Sequence, residues 1–73
     1  MMPGAVRQTG ALTPRERQIV QHLADGLAPK QIGPRLGIEH GTVRNLIVYA
    51  RQHLGAASTE QLVALALRAG QIS

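Results

Sequence analysis

The segment from Gly41 to Leu54 carries the polar side chains whose types and spacing could form a hydrogen-bonding surface. If the segment is helical, Val43, Ile47 and Ala50 turn inward. The opposite face then presents Gly41, Arg44, Asn45, Val48 and Gln52. Arginine can bridge O6 and N7 of guanine, asparagine can bridge N6 and N7 of adenine, and valine can contact a thymine methyl group. Spacing alone leaves a second interpretation open, in which these are ordinary solvent-facing helix residues.

Three histidines and a glutamate could in principle bind a metal or transfer protons. His22, His40 and His53 offer no pair at i, i+4 spacing, and no cysteine completes a ligand set. Glu16 is accounted for by a capping box over residues 13–16, in which its carboxylate accepts from the backbone. No nucleophile is fixed beside it. The sequence therefore predicts no enzyme, no metal site and no cofactor.

Length and charge narrow the function further. The 73 residues (7.8 kDa) can form one small domain. Eight Lys and Arg against four Asp and Glu give a net charge of +4, which favours a polyanionic partner. Tyr49 is the only aromatic residue, too few for stacking on single-stranded bases. Residues 1–11 hold no apolar run typical of a signal peptide or membrane span, so we expect a cytoplasmic protein without membrane association.

Four helices are predicted to position these side chains. The capping box and Pro14 predict a first helix over residues 14–25, and Pro29 opens a second over 29–36, with a possible distortion at Pro34. A third spans 41–54, and a second capping box at 58–61 starts a fourth that ends at 69–70. No strand-like alternation occurs, so the class is all-α. Residues 1–11 are interpreted as a flexible N-terminal arm, and residues 12–73 as the folded domain.

The second and third helices are joined by a turn over residues 37–40, short enough to force a steep crossing. Gly33 would let the two helices approach closely. This arrangement is a helix-turn-helix, and from Leu12 onward the chain resembles the LuxR/FixJ-type DNA-binding family, in particular its short members without a sensor domain. The matching segments are Leu12-Thr13-Pro14-Arg15-Glu16, Gly26-Leu27, Lys30-Gln31-Ile32, Leu36-Gly37-Ile38, Gly41-Thr42-Val43-Arg44-Asn45, Leu54-Gly55 and Gln61-Leu62-Val63.

The resemblance implies a function and a set of contact residues. It implies that the third helix lies in the major groove of double-stranded DNA, that the second braces it across the backbone, and that the fourth pairs two subunits. The DNA-binding residues that it implies are Arg44, Asn45 and Val48 at the bases, Thr42 and Lys30 at phosphates, and Arg51 and Gln52 beside them.

The chain also departs from the family pattern. Leu46, His53 and Thr59 stand where the family usually has His, Lys and Arg, respectively. Ala28 and Glu39 occupy two positions that usually supply serine caps. Fewer cations therefore reach the DNA than in a typical member, and we expect each half-site to bind weakly.

The fourth helix predicts a homodimer. Leu62, Leu65, Ala66 and Ala69 supply a core face. The outward stripe consists of Glu60, Val63, Ala64 and Leu67. A monomer would leave that stripe in water, whereas two-fold pairing would bury it on both subunits.

An alternative function remains open at this stage. Leu46, Val48 and Tyr49 form an apolar group on the third helix. Such a group could turn the helix-turn-helix into a protein-interaction module that binds RNA polymerase, a sigma factor or another transcription regulator. Salt separates the two functions, because DNA binding falls steeply with salt and an apolar interface does not.

Overall fold

The computed structural model describes residues 10–73, in which four helices pack around one core. They are α1 (Pro14–Ala24), α2 (Pro29–Leu36), α3 (His40–Leu54) and α4 (Thr59–Arg68). Residues 10–73 contain no strand, and the predicted all-α, four-helix fold is confirmed. Within this range no helix combines the length and the apolar character needed to cross a bilayer. The predicted arm lies outside the described residues over positions 1–9.

The start of α1 is fixed by the predicted capping box. Thr13 Oγ1 accepts from the Glu16 amide at 3.2 Å, and Glu16 Oε1 accepts from the Thr13 amide at 3.0 Å. Pro14 takes the first helical position, where its missing N–H removes no hydrogen bond. The helix ends one residue before the predicted boundary, with Asp25 as its C-cap.

The second helix has the predicted bounds. Pro34 lies inside it, yet the helix continues to Leu36, so the possible distortion does not end it. Gly37 then closes the helix in the left-handed region at φ 70°, and its N–H is donated to the Gly33 carbonyl. A glycine adopts that conformation without the steric penalty of a side chain.

The fourth helix begins with only half of its predicted capping box. Ser58 Oγ accepts from the Gln61 amide at 3.0 Å, as expected. The Gln61 side chain accepts from the Ala57 amide instead of from Ser58. The Gln61 side chain therefore binds the loop before α4 and does not complete the reciprocal capping box with Ser58.

The core draws on all four helices and on both flanking segments. Its buried apolar residues are Leu12, Ile19, Val20, Ile32, Val43, Ile47, Ala50, Leu62, Ala66 and Ile72. Partly buried side chains that pack against it include Leu23, Leu27, Leu36, Leu54 and Val63. The predicted inward stripe of α3, formed by Val43, Ile47 and Ala50, is thus confirmed.

Two predictions about α4 need correction. Ala69 is exposed rather than buried, because the helix ends at Arg68 and Gly70 then turns the chain at φ 71°. Ile72 takes the core position instead, at 6% exposure. Val63 is not fully exposed to solvent on the outer stripe, since it packs partly against the core of its own chain.

The C-terminal segment is tied to the beginning of the fold by side-chain amides. Gln71 accepts from the Leu12 amide at 2.6 Å and donates to the Gly10 carbonyl at 2.8 Å. Gln21 of α1 makes a similar pair of bonds with the backbone of Ser73. These contacts hold residues 10–12 and 71–73 against the helical body.

Candidate nucleic-acid interface

The crossing of α2 and α3 depends on Gly33. Gly33 is buried, and a Cβ atom built there would lie 2.7 Å from the Ile38 carbonyl oxygen, closer than Cβ atoms are found in proteins. The Ile38 amide returns a hydrogen bond of 3.0 Å to the Gly33 carbonyl. The turn between the helices therefore packs directly against the backbone of Gly33. This contact fixes the crossing angle between α2 and α3.

The third helix has one buried and one exposed face. Val43 and Ala50 are fully buried, and Ile47 is 7% exposed. The residues predicted on the opposite face are all exposed, namely Gly41, Arg44, Asn45, Val48 and Gln52. The packing of α3 thus leaves its polar face exposed, and the side chains there offer both hydrogen-bond donors and acceptors.

Of the other predicted contact residues, two are exposed and one bonds to another part of the chain. Thr42 and Lys30 are exposed at the first turns of α3 and α2. Arg51 is half-buried, and its Nη2 donates to the Ala57 carbonyl at 2.8 Å. In this conformation its guanidinium fastens the loop between α3 and α4, so its contact with DNA stays a prediction.

A cleft between the first turns of α2 and α3 contains a residue that the sequence reasoning missed. The cleft has a volume of about 320 Å³ and is lined by Ala28, Pro29, Lys30, His40 and Arg44. His40 and Arg44 are four residues apart on one helix, a spacing that places two side chains on the same face. That spacing was the available signal, but it could not reveal that α2 brings Lys30 to the same cleft.

The basic side chains of this region form no side-chain hydrogen bond or ion pair with other residues of the segment 10–73. Within residues 10–73, Glu16 Oε1 and His53 Nδ1 lie 2.8 Å apart, at hydrogen-bond distance. Glu16 is 2% exposed, so this carboxylate is withdrawn from the surface. Lys30, His40 and Arg44 make no ion pair within the described chain. The positive charges of Lys30 and Arg44 are therefore left to solvent or to a partner.

Comparison with known proteins agrees with this architecture. A family model described as bacterial regulatory proteins, luxR family, matches residues 10–66. The chain belongs to the luxR family. The predicted helix-turn-helix resemblance is thereby confirmed.

Relatives of this luxR-family chain differ greatly in length. It is 39% identical over 61 residues to the spore germination protein GerE of Bacillus subtilis, which covers 84% of this chain and 82% of that protein. It is 40% identical over 67 residues to an HTH-type transcriptional regulator of Mycobacterium bovis, of which it spans 8%. A solved structure of the transcription factor GerE superposes with a TM-score of 0.81 at 40% identity, covering 85% of this chain and 92% of that one.

The predicted pairing face of this luxR-family domain is smaller than the sequence suggested. Leu67 is 47% exposed and Glu60 is exposed, while Ala64 is half-buried. Val63 contributes part of its surface to the domain's own core. The apolar area left for a partner is therefore centred on Leu67.

Proposed function

We propose that the chain is a transcriptional regulator that binds double-stranded DNA in a sequence-dependent way as a homodimer, with α3 in the major groove. The exposed polar face of α3, opposite its buried stripe, carries this proposal. The major groove of B-DNA is wide enough to admit an α-helix, and each base pair presents a distinct pattern of donors and acceptors there. Membership of the luxR family supports the same function.

The side chains on this face divide into two groups by what they can recognise. Arg44 and Asn45 can each make paired hydrogen bonds to one purine edge, and Val48 can contact a thymine methyl group. Thr42 and Lys30, at the starts of their helices, are suited to phosphates, which fix the protein on the duplex without reading sequence. Gln52, a turn beyond Val48, extends the exposed polar row.

Homodimerisation is proposed through α4. Leu67 is one of three large apolar side chains exposed within residues 10–73, and it lies one turn from the half-buried Ala64 on the same helix. Two-fold pairing of this face would bury Leu67 on both subunits. It would also set two α3 helices into successive major grooves, with half-sites about 10 bp apart in an inverted repeat.

Selection of bound duplexes from a random DNA pool, followed by gel shifts, tests sequence reading. Arg44→Ala should weaken binding to the best selected site by about 1–3 kcal/mol and relax the preference at one base position. Arg15→Ala is the matched control, because it removes the same charge from an exposed position at the start of α1. Equal, sequence-independent losses from both changes would contradict base reading by α3.

A protein-interaction module remains the second candidate. Val48 and Tyr49 are each 45% exposed, so an apolar patch is present on α3. Leu46, the third member of the expected group, is half-buried and packs against the core, which leaves that patch smaller than the sequence suggested. Binding of a polymerase subunit, sigma factor or other regulator that persists at high salt, with no DNA binding, would favour this candidate.

A further inference from the structure

The cleft between α2 and α3 has the composition of an anion site. Three nitrogen-bearing side chains from two helices line it, and Ala28 and Pro29 form the rest of its wall. None of its lining residues is acidic. Glu39, which precedes His40 in the chain, is exposed but does not line the cleft.

The three basic side chains are available to a ligand. Lys30, His40 and Arg44 are exposed, and none is hydrogen-bonded or ion-paired through its side chain within residues 10–73. Lys30 and Arg44 place two positive charges at this cleft, and no acidic side chain lines it. An anion bound there relieves the repulsion between the two cations and gains charge-assisted hydrogen bonds from them.

We propose that this cleft binds one phosphate of the DNA backbone and that His40 is a phosphate-contacting residue. The proposal rests on the proposed function, because a backbone phosphate reaches this cleft when the exposed face of α3 lies against DNA. Lys30 supplies an ammonium group from α2, and His40 supplies a ring N–H from α3. Arg44 has five N–H donors, enough to serve a base edge and a phosphate oxygen together.

This site has a specific consequence for recognition. A phosphate held between the two helices fixes the depth and the angle at which α3 enters the groove, because α2 and α3 are locked by the Gly33 crossing. His40 therefore adds affinity on every sequence and leaves the base preference unchanged.

The test combines protein variants with chemically altered DNA. The best duplex selected from a random pool is synthesised with a neutral methylphosphonate at each backbone position of one half-site in turn. His40→Gln should weaken binding about three- to tenfold on the unmodified duplex and on a random duplex alike. His22→Gln, a change of the same chemistry on α1, should leave both affinities unchanged.

One modified position decides the proposal. At the phosphate that occupies the cleft, neutralisation should weaken wild-type binding, and His40→Gln should then have no further effect, since both changes remove the same contact. Lys30→Gln should couple to that same position. If wild type binds DNA but no position shows this coupling, or if His40→Gln alters preference at one base pair, the phosphate site is refuted while the proposed function stands. Absence of DNA binding by wild type would overturn both.

Discussion

The outer helices α1 and α4 begin differently from the pair formed by α2 and α3. Thr13 and Ser58 cap α1 and α4 with side-chain oxygens. The corresponding positions of α2 and α3 are Ala28 and Glu39, and neither makes a side-chain cap. A side-chain N-cap contributes about 1 kcal/mol, which α1 and α4 gain and α2 and α3 do not. The start of α2 is held instead by the Gln31 side chain, which accepts from the Ala28 amide at 2.7 Å.

The largest loss of stability is expected where the supporting region is joined to α3. Glu16→Ala removes a capping-box carboxylate and the hydrogen-bond partner of His53 in one change. Thermal or urea unfolding should show a loss of about 2–3 kcal/mol, because a cap and a largely buried polar contact are both lost. Glu60→Ala, at an exposed acidic position in the first turn of α4, should change stability by less than about 0.5 kcal/mol.

The next effect tests the crossing of α2 and α3. Gly33→Ala should destabilise the fold by about 1–2 kcal/mol, because overlap with the Ile38 carbonyl outweighs the higher helix propensity of alanine. Gly41→Ala is the control within the same motif. Its Cβ would meet nothing within 4 Å, so it should stabilise α3 by about 0.5–1 kcal/mol. Equal behaviour of the two variants in denaturant unfolding would show that close approach is not what requires Gly33.

Exchanging the caps sharpens the comparison of helix starts. Ser58→Ala should cost about 1 kcal/mol, whereas Ala28→Ser should raise stability by about 0.5–1 kcal/mol by giving the N-cap residue of α2 a hydroxyl acceptor. Both values can be read from urea unfolding of the two variants. A destabilised Ala28→Ser protein would mean that the first turn of α2 has no need of a cap.

The smallest effect on folding is expected at Leu67. Leu67→Glu should leave the unfolding free energy within about 0.5 kcal/mol, because the side chain is 47% exposed and lies outside the core. It should abolish self-association in sedimentation and weaken binding to a two-half-site duplex far more than to a single half-site. A monomeric wild type, or a variant that binds the full site normally, would refute the dimer.

Features encoded over short stretches of sequence were predictable. The Thr13 capping box and the bounds of α2, from Pro29 to Leu36, each depend on a few neighbouring residues, and the structure places them as expected. Gly33 was also identified in advance, because a short turn forces the helices together. Local rules of this kind need no knowledge of the tertiary arrangement.

Features that depend on tertiary packing were not predictable in the same way. His53 approaches Glu16 across 37 positions of sequence, and nothing near either residue announces the pair. Arg51 was predicted to contact DNA, but the loop that follows α3 brings the Ala57 carbonyl within hydrogen-bond distance of its guanidinium. The cleft at His40 likewise needs α2 to bring Lys30 close.

The side-chain amide of Gln71 joins the two ends of the described chain. Because it bonds the backbone of Gly10 and Leu12 to the segment that follows α4, hydrogen bonds close residues 10–73 into a ring. Opening of either edge breaks the Gln71 bridge, while Gly10 keeps its bond to the His53 carbonyl and Ser73 keeps its bonds to Gln21. The Leu12 amide, which donates to Gln71, therefore reports on the bridge, and Gln71→Ala should speed its exchange with solvent deuterium.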